Sequence, residues 1–305
     1  MAVKAIVFGP TGNIASVAAR TATENGAEVA LAMRDPSKTI PGLSSEEEKA
    51  GGYTRVQADL TQPETVKAAI EKTGAKHAFI YAAHGSKDGM KATLEAMKSG
   101  GVEFVVFLSS FTISEPKEDV PPEEIIPYIH ATVEVSLDQV YGESNYVAVR
   151  PGSFATNVLR WAQQVKTGEV KLYNPSFTMD CITPGDMGRV SGIILAKGVQ
   201  HGQRKVYLYG PKPLSQKEMA ETIAQVIGVN VKVSGSTPEE ATQHFQAAGL
   251  PTPLTNYMIR TLGDNEAEHS PRPRYEEGVA NVKKYTGQEA ESFEHWVSEN
   301  KELFI

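Results

Sequence analysis

The chain has 305 residues, with 30 Lys and Arg against 37 Asp and Glu for a net charge of −7, a length that fits one large domain or two unequal ones. Apolar residues make up 40% and charged residues 22%, enough for a core and against a disordered chain. The acidic balance argues against a general binder of nucleic acid or anionic membrane, and the single cysteine, Cys181, excludes an intrachain disulfide or a cysteine-based zinc site.

The first segment has four apolar residues between Lys4 and Gly9, too few for a signal-peptide core or a membrane span. A cytoplasmic, reducing setting is the expectation. Short apolar runs at residues 3–8, 28–34, 53–59, 76–83, 103–110 and 145–150 read as strands. Runs such as AIVF, HAFIYAA and EFVVFL lack polar alternation, which marks strands buried on both faces of a parallel sheet. After the first strand, Ile14, Ala15, Ala18, Ala19 and Ala22 form a small-residue stripe at helical spacing, stopped by Gly26. Thr61-Gln-Pro-Glu64 reads as a capping box with proline just inside the helix. The alternation predicts an α/β fold, a doubly wound parallel sheet of Rossmann type, over residues 1–152.

From residue 153 to 305 the pattern changes. Only brief strands remain, near residues 205–209 and 229–233, while helix starts recur at Thr183, Ser215 and Thr237, each with an acidic residue three positions on. These features predict a smaller, mostly helical substrate-side region interleaved with the first, with residues 188–204 packing back on the sheet. Residues 264–277 read as an exposed loop, and Phe293, Trp296, Val297 and Phe304 as a helix docked on the body. Cys181 reads as a buried small apolar residue, and Trp161, Phe154 and Phe177 read as core more readily than as pocket wall.

Gly9-Pro-Thr-Gly12-Asn-Ile-Ala15 joins the first strand to the first helix. Gly9 permits the sharp turn, Gly12 lets backbone approach a pyrophosphate, and Ala15 keeps the helix close to the sheet. Backbone amides around Thr11, Gly12, Asn13 and Ile14, at the positive end of a helix, then hold phosphate without a lysine. The second strand ends on Arg34, suited to the extra phosphate of NADP(H), with Asp35 next to it keeping NAD(H) open as the less favoured reading. Ala82, Ala83 and His84 follow the fourth strand, where the carboxyl ends of strands face a ligand crevice. Seven histidines include no tight metal-ligand pair, so no metal is expected. Neither a Gly-x-Ser-x-Gly elbow nor a Walker loop is present.

GPTGNIA, then Arg34, then QADLTQPETVKAAI together resemble the NmrA-like branch of the atypical short-chain dehydrogenase/reductases, which includes type 2 quinone oxidoreductases and NADP(H)-sensing regulators. GVEFVVFLSSF, VRPGSFATNVL, CITPGDMGRVSGIIL and SFEHWVSENKELF are similar to later segments of that family in the same order. The resemblance implies that Asp59 and Leu60 flank the adenine and that Pro151, Gly152 and Ser153 line the cofactor. None of the 11 tyrosines is followed four residues later by lysine, so the proton-donating Tyr-x-x-x-Lys pair of the broader family is missing. The corresponding segment reads IIPYIHATVEVSL, where His130 precedes Glu134. His130, with Tyr128 and Ser109 as neighbours, is the candidate proton donor, and a purely ordering role for His130 stands equally open. The expected function is an NADPH-dependent reductase of a small apolar carbonyl, enone or quinone. The alternatives are a non-catalytic NADP(H)-sensing protein that binds a partner, and a redox-neutral isomerase or cyclase. A homodimer is compatible with either class.

Overall fold

Six apolar segments of the first half become strands, each within a residue or two of its expected limits: β1 (Lys4–Phe8), β2 (Glu28–Met33), β3 (Thr54–Gln57), β4 (His77–Tyr81), β5 (Phe104–Leu108) and β6 (Tyr146–Pro151). Between them run α1 (Asn13–Glu24), α2 (Ser45–Ala50), α3 (Pro63–Thr73), α4 (Lys91–Gly100) and α5 (Ile125–Tyr141). The computed structural model describes residues 2–83, 85, 86, 88–263 and 272–305. The second half contributes β7 (Ser153–Phe154), α6 (Ala162–Thr167), β8 (Glu169–Leu172), β9 (Thr178–Ile182), α7 (Pro184–Lys197), β10 (Lys205–Leu208), β11 (Pro213–Ser215) and α8 (Gln216–Ile227). It ends with β12 (Lys232–Gly235), α9 (Pro238–Ala247), α10 (Thr252–Gly263), α11 (Tyr275–Thr286) and α12 (Phe293–Glu299).

The main sheet has seven strands in the order β10-β6-β5-β4-β1-β2-β3, and every pairing in it is parallel. Both faces are covered, as the unbroken apolar runs require. Ala5 and Val7 of β1 face a core shared with α1 and α7. Ile6 and Phe8, pointing the other way, join α3, α4 and α5. This is the doubly wound α/β architecture. A second core gathers β8, β9, α8, α9 and α12 around Trp161, Phe245, Phe293, Trp296 and Phe304.

The two halves of the chain interleave at one helix pair and one strand. β10 extends the main sheet beside β6, and α7 packs on α1 at backbone range. A Cβ on Gly192 would stand 2.6 Å from the Ala18 carbonyl oxygen and 3.0 Å from the Ala22 nitrogen, and one on Gly188 would lie 2.8 Å from the Ile14 oxygen. The alanine stripe of α1 is therefore matched by glycines on its partner.

Three local expectations are corrected. Thr61 does not cap α3: its amide and hydroxyl both donate to Asp59 Oδ1, at 2.9 and 2.8 Å, so the helix starts later, with Gln62 as an N-cap lacking a side-chain bond. The strand expected at 229–233 forms instead at Lys232–Gly235, pairing with β8. Of the loop expected over 264–277, residues 264–271 lie outside the described residues, and Tyr275–Glu277 already form the first turn of α11. Ser215 and Thr237 make full capping boxes with Glu218 and Glu240. No helix among the described residues is long and apolar enough to cross a membrane.

Candidate functional site

The carboxyl end of β1 turns sharply at Gly9, whose φ of +69° lies in the left-handed region that glycine enters without strain. Its amide donates to Ala32 at 2.9 Å, tying the turn to β2, and its carbonyl accepts from Gly12 at 2.9 Å. Gly12 is the N-cap of α1 and supplies no side-chain bond to it. The first-turn amides therefore have no intrahelical acceptor and no cap, and Thr11, Gly12 and Asn13 are exposed. An uncapped, exposed helix start on a tight glycine turn fits a dinucleotide pyrophosphate.

At the tip of β2 the two competing charges are used differently. Asp35 accepts from the Ser37 amide at 3.0 Å and from its hydroxyl at 2.6 Å, bonds that hold its carboxyl below the usual range. The Arg34 side chain is exposed and makes no hydrogen bond or ion pair among the described residues. Across the crevice, the Asp59 carboxyl is lowered chiefly by the Thr61 amide, with the Arg34 charge assisting. Leu60 is buried, and its carbonyl accepts from Thr93 at 2.8 Å.

β4 adds a residue that sequence reasoning missed. Tyr81, in an apolar run, reads as core, yet it is 38% exposed at the strand's end. Its ring lies on the glycine turn: a Cβ on Gly9 would come 2.6 Å from Tyr81 Cε1. Burial raises the Tyr81 phenol pKa, and the Arg34 charge pulls it back. The adjacency of β4 to β1 brings this about, and no local pattern carries it. Ala82 and Ala83 follow on the same edge, the Ala83 amide meeting Met90 Sδ at 3.3 Å; His84 lies outside the described residues.

Farther along the edge, the residues expected near the reacting end separate into two groups. Ser109 is 2% exposed and donates to Glu134 Oε1 at 2.6 Å. Glu134, fully buried on α5, grips Arg150 of β6 with two bonds, Nε–Oε1 at 2.9 Å and Nη2–Oε2 at 2.6 Å. Arg150 also donates to the Tyr207 hydroxyl and to Glu115, both at 3.0 Å. Burial alone would lower the Arg150 pKa; the Glu134 carboxylate overrides it and holds the guanidinium above its ordinary value. This buried network is the second feature missed, because its members come from four separate segments. His130 sits one helical turn before Glu134, with Nδ1 2.8 Å from the Ile126 carbonyl oxygen and its ring 6.2 Å from that of Phe107. A carbonyl only accepts, so Nδ1 carries a proton in this contact. Tyr128 is 36% exposed and shares the first turns of α5 with His130.

Pro151, Gly152 and Ser153 leave β6 for β7. Gly152 is held against β9 so closely that a Cβ would fall 1.9 Å from Asp180 Oδ2. Asp180 is buried with Arg272, whose Nε donates to it at 2.7 Å; burial pushes its carboxyl pKa up to about 6 against the pull of that arginine.

A family model described as NAD(P)H-binding matches residues 9–179, beginning at the first glycine of the turn. A nitrogen metabolite regulation-like protein of Gibberella fujikuroi is 34% identical over 314 residues, covering 96% of this chain and 95% of that protein. An NAD(P)H azoreductase of Xenophilus azovorans is 26% identical over 303 residues, covering 98% of each. The fold is similar to that of the NADPH-dependent quinone oxidoreductase of Escherichia coli solved with NADPH, with a TM-score of 0.75 at 17% identity over 98% of this chain and 100% of that one. The chain belongs to the NAD(P)H-binding, NmrA-like branch of the atypical short-chain dehydrogenase/reductases.

Proposed function

We propose that the chain is an NADPH-dependent oxidoreductase that reduces a small apolar carbonyl, enone or quinone-type substrate. The observation that carries the reading is the pairing of an uncapped dinucleotide turn with an Arg34 that no described side chain engages, beside an Asp35 already consumed by Ser37. In this reading the amides from Thr11 to Ile14 hold the pyrophosphate and Arg34 holds the 2′-phosphate. Asp59 and Leu60 flank the adenine, and Ala82, Ala83, Pro151, Gly152 and Ser153 line the path toward the nicotinamide. The cofactor, when bound, supplies the hydride. His130, in its protonated imidazolium form, delivers the proton, with Tyr128 two residues before it on α5. Ser109, committed to Glu134, positions α5 and does not meet substrate. The azoreductase and quinone oxidoreductase likenesses support a reductase.

Three observations favour a second reading, a non-catalytic NADP(H)-sensing protein. Ser109 is tied into a buried structural network, no Tyr-x-x-x-Lys pair exists, and the 34%-identical relative is described as regulation-like. Steady-state NADPH oxidation with a panel of quinones, enones, aldehydes and azo dyes separates the two. Turnover above background that falls at least about tenfold in His130→Gln, in line with loss of a general acid, supports the enzyme. Tight NADPH binding with no turnover on any acceptor supports the sensor.

A further inference from the structure

A cavity of about 300 Å³ opens within the second half of the chain, between β8, α6, α9 and the end of α10. None of the residues assigned above to cofactor or proton transfer lines it. Trp161, Leu172, Phe245 and Leu262 form a buried apolar wall. The rim is polar and carries the Lys171–Glu240 ion pair at 2.6 Å. That volume lies at the lower end of small-molecule sites.

Arg160 sets this cavity apart. It lines the space, and its guanidinium lies 5.0 Å over the Trp161 ring. Its Nε is sealed from solvent without a hydrogen-bond partner, and it makes no ion pair to any described residue. Burial pushes its pKa down to about 10, which leaves it charged at neutral pH. The nearby Cys181 cannot serve as counterion, because burial pushes its thiol pKa far up and keeps it neutral. Three other inward-facing cations are matched, Arg150 by Glu134, Lys117 by Asp138 and Arg272 by Asp180, whereas Arg20, whose Nε is also sealed and unbonded, does not line this cavity. Arg160 is half-buried and not withdrawn from water, so the side of its fork that lines the cavity is open to a ligand that brings the counter-charge. A planar forked donor matches a carboxylate, and the Trp161 and Phe245 rings match a flat apolar body.

We propose that this cavity is a binding site for a small aromatic carboxylate, its carboxylate on Arg160 and its ring between Trp161 and Phe245. The test titrates the full chain calorimetrically with 2-naphthoate and with the neutral 2-naphthalenemethanol, in wild type and in Arg160→Met. Saturable naphthoate binding is expected, roughly tenfold or more tighter than that of the alcohol, as a charge-assisted bidentate contact implies. Arg160→Met should erase that difference and leave NADPH affinity unchanged. Equal affinity for the two probes, naphthoate binding that survives Arg160→Met, or no saturable naphthoate binding in wild type overturns the proposal.

Discussion

Arg34→Ala removes a guanidinium that is exposed at the tip of β2 and engages no described side chain. The folded chain loses no ion pair, so its stability should stay within about 0.5 kcal/mol of wild type, as for surface changes in general. A charge-assisted hydrogen bond to phosphate is worth about 1.5–3 kcal/mol, or roughly one to two decades in affinity. Exposure and salt screening place this contact at the weaker end, near about tenfold. NADH has no 2′-phosphate and should bind the variant as it binds wild type. The substitution does not liberate Asp35, which keeps both of its bonds to Ser37, so no new preference for NADH should arise. Calorimetric titration of both proteins with both cofactors, at low and high salt, measures this directly. The NADPH advantage of wild type should shrink as salt rises. A wild type that prefers NADH, or a variant that loses both cofactors equally, would refute the assignment and give the ribose to Asp35.

Tyr81→Ala uncovers the glycine turn on which the ring now lies; it should tighten NADPH and NADH alike by roughly three- to tenfold, about 0.7–1.4 kcal/mol, and equal weakening of both would make the ring a cofactor contact. Gly192→Ala forces a Cβ to within 2.6 Å of the Ala18 carbonyl oxygen, an overpacking that should cost about 1–3 kcal/mol; an unchanged urea midpoint would show that α1 and α7 are not locked at backbone range. Asp180 has a folded pKa of about 6, above the roughly 3.9 of an unfolded chain, so the folded state holds the extra proton. The stability it contributes is therefore full below about pH 4 and is lost as pH rises through about 6. Urea midpoints of wild type and Asp180→Asn compared across that window should show a shallower decline in the variant, and parallel profiles would contradict the assignment.

The glycine turn and the main sheet are legible in the sequence because their determinants are local. An apolar run too continuous for one buried face, followed by Gly9, Gly12 and a small-residue stripe, has few other uses. Thr61 misleads for an equally local reason. Both Thr61 and Asp59 can cap or close a turn, and the carboxylate wins by taking two donors at once. Tyr81, Glu134 and Arg150 escape a sequence reading on other grounds. Tyr81 meets Gly9 only because β4 lies beside β1, and an arginine inside an apolar strand gives no sign of which distant carboxylate will meet it. Arg160 is hidden in the same way, since a charge on a short helical turn ordinarily points to water.

In the proposed site, the buried network also ties the reacting end to the frame assigned to the cofactor. Arg150 leaves the sheet's core toward Glu134 on α5, and also reaches Tyr207 on β10 and Glu115 in the loop before α5. Glu115 in turn meets Lys205 at 2.5 Å. The Glu115–Lys205 pair therefore cross-links the first and second halves of the chain by charge, as Arg260–Glu124 does at the start of α5. Breaking such a network from one side leaves an uncompensated buried charge and costs about 3–5 kcal/mol, far more than an exposed pair would. His130 stands one turn from Glu134 on the same helix face, so its place along the edge is set by the register of α5 over β6. The missing Tyr-x-x-x-Lys pair deprives the chain of one way to anchor a proton donor. In the reductase proposed above, the Glu134–Arg150 pair takes that part, acting through the helix instead of through the donor's own neighbour.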